Sequence, residues 1–193
     1  MNPASFAKLV ARARRTIVAA AIFVVLTGCG GSDDDEPMTP DNADRISTDA
    51  ELFALVTQVE PFAGYTLFPN ADSVVAGRLN GSEAHGPLVR VSLNAKAASA
   101  LVDGKLPVDG SFPDSSIVFK ELRSGTTPTY YAIMYKDRDN PLAANGWVWG
   151  EYRTSGSIVG SVMNGANGCA ACHMREQGPA NDLVRTFERQ LTR

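Results

Sequence analysis

Ser116-Ile117-Val118-Phe119-Lys120-Glu121-Leu122 is the stretch on which the fold depends. Two segments of the same kind follow it, Thr129 to Lys136 and Gly146 to Arg153. All three are rich in β-branched and aromatic residues, which favour strands, and they are separated by turn-forming Gly, Pro, Asn and Asp residues. The pattern predicts three consecutive antiparallel β-strands.

A fourth strand is predicted upstream, between Leu88 and Leu93, where apolar and polar residues alternate. One side carries Val89, Val91 and Leu93, and the other carries Arg90 and Ser92. Such alternation is typical of a strand with one buried face.

A helix is predicted before these strands. Thr48 and Glu51 form a capping box, and an apolar stripe follows until Pro61 ends the run. The stripe consists of Leu52, Leu55, Val56 and Val59.

Two more helices complete the pattern. Asn94 is predicted to cap a helix over Ala95 to Val102 that Gly104 closes, and Asn181 to cap a final helix. The final helix would bury Leu183, Val184, Phe187 and Leu191. The chain therefore predicts an α+β fold over residues 46–193, with a mainly antiparallel β-sheet and a few packed helices.

Cys169-Ala170-Ala171-Cys172-His173 is the motif that indicates a cofactor. Two cysteines at this spacing can bond a haem covalently while the adjacent histidine binds its iron. A zinc site would need more ligands, and outside the motif the chain has one other cysteine, Cys29, and one other histidine, His85. We therefore predict a single haem c held by Cys169, Cys172 and His173.

The N-terminus predicts export and a lipid anchor. Four basic residues precede an apolar segment, Thr16 to Leu26, that is shorter than the roughly 20 residues needed to span a bilayer. Leu26-Thr27-Gly28-Cys29 resembles the cleavage box of bacterial lipoproteins. Residues 1–28 are thus predicted to be a lipoprotein signal peptide and residues 29–45 a flexible tether.

The lipid would be carried by Cys29, and the mature protein would face the periplasm. Gly30 directly after that cysteine is compatible with an anchor in the outer membrane. The alternative is an ordinary secretory signal that leaves Cys29 as a thiol.

The charge balance argues against nucleic acid as a partner. Without the predicted signal peptide, 14 basic residues stand against 21 acidic ones, a formal net charge of −7. Such a chain is poorly suited to neutralising phosphates, but it is compatible with a cationic electron-transfer partner.

The position of the cysteine motif bears on the sixth ligand of the iron. Only 20 residues follow His173, and Met174, beside that histidine, cannot reach the opposite face of a haem. A sixth ligand would have to come from upstream, from Met134, Met163 or His85. A methionine in such a place more often fills the core, and a histidine in a turn is more often structural. We therefore expect an open distal position that binds or transforms small molecules.

Four segments together resemble the cytochrome P-460 family. They are His85 to Val91, Phe112 to Glu121, Asn145 to Trp149 and Cys169 to His173, in this order and spacing. The resemblance implies a mostly antiparallel sheet with one haem lying against it, and a homodimer. One branch of the family oxidises hydroxylamine and related nitrogen compounds at a haem that is also linked to a lysine. The other branch, cytochrome c′-beta, lacks this link and binds nitric oxide or carbon monoxide in a pocket walled by phenylalanines.

By this resemblance, Lys120 stands where the linked lysine stands. A lysine between Val118 and Leu122 on one face of an apolar strand is unusual in itself, because burying an ammonium group costs free energy unless it is paired or modified. The alternative is an edge-strand lysine that reaches water or pairs with Glu121 or Asp114.

Other residues are candidates for the walls of the haem site. Phe112 is expected beside the haem, and Phe68 and Tyr65 are further candidates for the distal wall, although aromatics at such positions are usually core. Arg90 would meet a haem propionate or the ligand, unless it is simply solvated.

The proton acceptor is where the chain departs from the family. Oxidising members carry a distal carboxylate on the strand that corresponds to Tyr130 to Tyr135, where this chain has Ala132. Glu151 on the last strand is the remaining candidate for a base, unless it is an exposed strand carboxylate.

We therefore predict a monohaem c-type cytochrome that oxidises hydroxylamine or processes nitric oxide and passes electrons to a periplasmic acceptor. Its candidate catalytic residues are Lys120, Arg90 and Glu151. A gas-binding protein without catalysis is one alternative. A simple electron carrier is another, and it would require a sixth ligand.

Overall fold

The computed structural model describes residues 45–69, 75–76, 84–164 and 168–192, without the side chains of residues 75–76 and 189–192. The predicted signal peptide, the predicted lipidation site Cys29 and the predicted tether up to residue 44 lie outside the described residues. Within the described part of the chain, no helix combines the length and the apolar character needed to cross a membrane.

The described strands form one antiparallel sheet. They are β1 (Thr66–Leu67), β2 (Val75–Ala76), β3 (Leu88–Leu93), β4 (Ile117–Ser124), β5 (Thr127–Lys136), β6 (Trp147–Arg153) and β7 (Ile158–Gly160). Their order across the sheet is β1-β3-β4-β5-β6-β7, and β2 also pairs with β3. The four strands predicted from the sequence are confirmed as β3 to β6.

Short helices flank this sheet. The α-helices are α1 (Asp49–Ala54), α2 (Ala95–Ala98) and α3 (Cys169–His173). A π-helix over Leu55–Val59 continues α1, and 3-10 helices span Phe62–Gly64, Val162–Asn164, Pro179–Asn181 and Arg185–Thr192. The predicted α+β fold with a mainly antiparallel sheet and few helices is confirmed.

Alternation along the strands sends side chains into two apolar layers. On one face, Leu52 and Val56 pack against Phe119, Ile133 and Tyr152. The residues that follow α3 cover the opposite face, which we call the C-terminal side of the sheet. The layer on that side includes Val89, Val91, Val118, Met134, Trp149, Leu183, Val184 and Phe187.

The first helix differs from its prediction at one residue. Its capping box is present, and Leu52 and Val56 are fully buried as expected. Val59, which was predicted to continue the stripe, is 76% exposed. The reason is the π-helix, whose wider turn rotates later residues out of an α-helical stripe.

The second helix is shorter than predicted. Asn94 caps α2 as expected, since its Oδ1 accepts a hydrogen bond from the backbone N–H of Ala97. The helix nevertheless ends at Ala98 and not at Val102. Beyond it, backbone amides bond to carbonyls three residues back, which tightens the chain into a turn.

The prediction that Asn181 caps the final helix is wrong. Asn181 ends a short 3-10 helix, and the chain reverses at Asp182 and Leu183 before the next helix begins at Arg185. The reversal prevents Asn181 from capping the helix, because both residues after it adopt left-handed backbone angles, with φ of 48° and 66°. The predicted inward side chains Leu183, Val184 and Phe187 are buried, while that of Leu191 lies outside the described residues.

Asn94→Ala is expected to lower the free energy of unfolding by about 2–4 kcal/mol. The substitution removes a helix cap and leaves the buried backbone N–H of Ile117 without its acceptor. Asn94 Oδ1 accepts from the backbone N–H groups of Ala97 and Ile117, both at 2.9 Å. Urea unfolding measures the loss. Ser99→Ala removes an exposed hydroxyl at the other end of α2 and is the control, with an expected change below about 0.5 kcal/mol. Equal effects of the two substitutions would contradict this role of Asn94.

Candidate functional site

A cavity lies between the C-terminal side of the sheet and the segment that carries α3. Its volume is about 320 Å³. Pockets for ligands and cofactors usually measure roughly 300–1,000 Å³. The lining includes Lys120, Ala132, Met134, Trp149 and Glu151 from the sheet, His85 from before β3, and Cys169, Cys172, His173, Val184 and Arg185 from the C-terminal segment.

The cysteine motif forms α3 itself. Residues three and four apart lie on the same face of a helix. Cys169, Cys172 and His173 accordingly all line the cavity. Cys169 is exposed at the cavity edge, and Cys172 is half-buried. The helix therefore presents two thiols and one imidazole to the same space.

His173 is buried and oriented by a backbone carbonyl. Its Nδ1 lies 2.6 Å from the carbonyl oxygen of Leu183. A carbonyl only accepts, so Nδ1 must donate, and Nε2 carries the lone pair. Burial, followed by the nearby charge of Lys120, lowers the pKa of His173 to about 4. The ring is thus neutral at pH 7, which is the form that binds a metal.

Lys120, Ala132 and Glu151 form a row across three neighbouring strands. In the register of the sheet, Lys120 pairs with Ala132 and Ala132 pairs with Glu151. Directly paired residues of antiparallel strands point to the same face, and all three side chains line the cavity. Lys120 lies on a central strand, so the alternative of an edge-strand lysine is wrong.

Glu151 is half-buried in this row, and its surroundings shift the pKa of its carboxyl group upward. Burial raises the pKa of its carboxyl group, while the positive charge of Lys120 opposes that shift. The alternative that Glu151 is an exposed strand carboxylate is wrong, because its side chain lines the cavity.

Two of the three candidate sixth ligands lie at the cavity. The ring centre of His85 is 6.1 Å from that of His173, with the ring planes at 87°. Met134 is 7% exposed and also lines the cavity. Trp149 packs edge-on against His173, with ring centres 4.8 Å apart.

Two predicted site residues lie outside the cavity lining. Arg90 pairs in the sheet with Glu121, and both point to the face opposite the cavity, where Arg90 Nε is 3.8 Å from Glu121 Oε2. Phe112 is fully buried in the core, with ring-centre distances of 5.7 Å to Trp147 and 6.2 Å to Phe187. Strand alternation explains the position of Arg90, and core packing explains that of Phe112.

Three further candidates are also placed elsewhere. Phe68 is fully buried, with its ring centre 4.8 Å from that of Phe187. Tyr65 packs edge-on against Phe119 on the face opposite the cavity. Met163 is 61% exposed and is not among the side chains that line the cavity.

Arg185 is a site residue that the sequence analysis missed. It is buried, lines the cavity, and donates from Nη1 to the carbonyl oxygen of Cys172 at 3.3 Å. Two carboxylates compensate its charge. Glu188 accepts twice from the guanidinium, at 2.8 and 2.9 Å, and Glu176 forms an ion pair with it. The available signal was the three-residue spacing of Arg185 and Glu188, which places an ion pair on one helix face.

Comparison with protein-family models and with curated proteins finds no match for this chain. The resemblance to cytochrome P-460 therefore stays a prediction that rests on the four sequence segments.

Proposed function

We propose that the cavity holds one haem c, bonded through Cys169 and Cys172 and bound at its iron by His173. The observation that carries the proposal is that these three side chains line one cavity. His173 supports it further, because Nδ1 is committed to Leu183 and Nε2 is left for a metal. The sheet side of the cavity adds apolar surface from Val118, Met134 and Trp149, which suits a large flat ring.

The protein is, on this proposal, a monohaem c-type cytochrome of the P-460 kind that oxidises hydroxylamine or processes nitric oxide in the periplasm. A bound haem supplies the redox and ligand-binding chemistry. Electrons removed from the substrate would leave to a periplasmic acceptor. The lipid anchor at Cys29 and the homodimer belong to the same proposal and rest on the sequence alone.

Glu151 is the residue placed to accept protons from a substrate in the cavity. A general base works best when its pKa lies near the working pH, and burial moves the pKa of Glu151 in that direction. Its position directly opposite Ala132 means that a carboxylate enters the cavity from the neighbouring strand. The carboxylate expected from the family at Ala132 is thus replaced by one from β6.

Lys120 is the residue proposed for an additional link to the haem. Support comes from its place on the central strand β4 and in the lining shared with Cys169, Cys172 and His173. Its charge also lowers the pKa of His173, so the two side chains share one electrostatic environment.

A simple electron carrier is the second candidate, and the position of His85 favours it. Two imidazoles bound on opposite sides of a first-row metal, at roughly 2.0–2.1 Å per bond, have ring centres about 6 Å apart. The ring centres of His85 and His173 are 6.1 Å apart. In this candidate, His85 and His173 would together hold the iron, and the haem would supply electron transfer alone.

Tryptic peptide mapping of the exported protein is expected to find haem on residues 154–175, which contain the cysteine motif. A link to Lys120 would block cleavage after that residue, so residues 106–123 should stay intact and attached to the same haem. Lys120→Arg is the matched control, because trypsin cleaves after arginine and residues 106–120 should then be released. Release of unmodified 106–120 from the wild-type protein would contradict the link.

Glu151→Gln is expected to slow hydroxylamine oxidation by roughly 10²–10⁴-fold, because positioned proton transfer contributes about that much. Turnover with a soluble electron acceptor measures the rate, and affinity for nitric oxide serves as the control that should stay unchanged. Ala132→Glu in the Glu151→Gln background should recover part of the rate from the paired position. An unchanged rate in Glu151→Gln would remove Glu151 as the base.

The absorption spectrum of the reduced protein with carbon monoxide separates the two candidates. We expect the wild-type protein to bind carbon monoxide, and His85→Ala to leave that binding unchanged. Met134→Leu is the control for the other candidate ligand in the cavity. A wild-type protein that refuses carbon monoxide, together with a His85→Ala variant that binds it, would instead establish the electron carrier.

A further inference from the structure

We propose that the buried ion pair of Asp182 and Lys136 is a positioning device for His173. It acts through one backbone group, the carbonyl of Leu183, which receives the Nδ1–H bond of the histidine. The inference rests on the proposed haem site, because it concerns how the chain orients the iron ligand. Neither Asp182 nor Lys136 lines that cavity, so they act on it from outside.

The ion pair is short and shielded from solvent. Lys136 Nζ lies 2.7 Å from Asp182 Oδ1, and the two side chains are 4% and 12% exposed. Lys136 Nζ also lies 4.7 Å from the centre of the Trp147 ring. Removing one partner of a buried pair leaves the other charge uncompensated, so each residue depends on the other.

Asp182 is fixed by three donors from separate parts of the sheet and its loops. Oδ1 accepts from Lys136 at the end of β5, and Oδ2 accepts from the backbone N–H of Phe112 at 2.8 Å. Its carbonyl oxygen accepts from Nε1 of Trp147 at 2.9 Å. The residue is therefore clamped to the sheet by both its side chain and its backbone.

The clamp holds a backbone conformation that the chain would otherwise avoid. Asp182 and Leu183 are both left-handed, with φ of 48° and 66°. Aspartate tolerates this region, but for a large side chain such as leucine it is an outlier that the surroundings must impose. This pair of angles aims the Leu183 carbonyl back at α3, where His173 donates to it at 2.6 Å.

The consequence reaches the proposed iron ligand. A firm hydrogen bond from Nδ1–H to a carbonyl fixes the tautomer and the ring orientation and makes the imidazole a more basic ligand. A more basic ligand favours the oxidised iron. Loss of the ion pair should loosen the reversal, weaken that bond and raise the reduction potential. A clamp that only docks the C-terminal segment would leave the potential where it was.

The test compares holoprotein variants that carry equal amounts of covalent haem. Lys136→Met and Asp182→Asn remove the ion pair, Lys136→Arg retains a cation, and Lys105→Met removes an exposed lysine as the matched control. Spectroelectrochemical titration gives the reduction potential. Hydrogen exchange followed by mass spectrometry gives the protection of the backbone amides of residues 178–184. One of them, the amide of Leu183, donates to the Gly178 carbonyl at 2.7 Å.

We expect a higher potential and roughly tenfold faster exchange in Lys136→Met and Asp182→Asn. Lys136→Arg should keep the potential and the exchange rate close to those of the wild type, and Lys105→Met should match the wild type.

Faster exchange with an unchanged potential would overturn the proposal, because the ion pair would then only dock the C-terminal segment. If one variant does not fold, the other decides by the same readouts. If neither folds, Trp147→Phe, which removes only the bond from Nε1 to the Asp182 carbonyl, decides by the same readouts. A wild-type protein without covalent haem would instead overturn the proposed function, a failure visible before any variant is compared.

Discussion

The hydrogen bond between Nδ1 of His173 and the carbonyl oxygen of Leu183 is the constraint on which the site depends. It joins α3 to the segment that covers the C-terminal side of the sheet, and it leaves Nε2 as the nitrogen that can bind iron. The carbonyl is held in place by the reversal at Asp182, which Lys136 and Trp147 tie to the sheet. The orientation of one imidazole thus depends on the end of β5 and the start of β6.

The sheet supplies the other half of the cavity through its register. Lys120, Ala132 and Glu151 are paired in a row, so strand pairing alone brings a cation and a carboxyl group to one wall. Placing both groups in a largely apolar cavity costs free energy, and apolar side chains at the same positions would not carry this cost. The pKa values of Glu151 and His173 are shifted, and such groups in a cleft are typical of functional sites. The row and the cysteine motif were separate signals in the sequence, and the fold brings them together.

Local patterns in the sequence were sufficient for the strands, the capping box at Thr48 and the cysteine motif, because each depends on neighbouring residues. The errors arose where a local change of helix type or distant contacts decide the outcome. Val59 leaves its stripe because of a π-helix, and Asn181 loses its capping role because tertiary contacts hold the reversal that follows it. Phe112 lies in a loop without a period, so its place in the core was not predictable from a pattern. Arg185 was missed because its burial depends in part on Glu176, a carboxylate that folding brings to it.

The most direct measurement is a crystal structure of the exported protein with diffraction data collected on both sides of the iron absorption edge. We predict one iron peak in the cavity, within bonding distance of Nε2 of His173, and thioether density at Cys169 and Cys172. A cavity without iron would contradict this prediction. So would a zinc ion or a disulfide at the two cysteines, or iron bound away from His173.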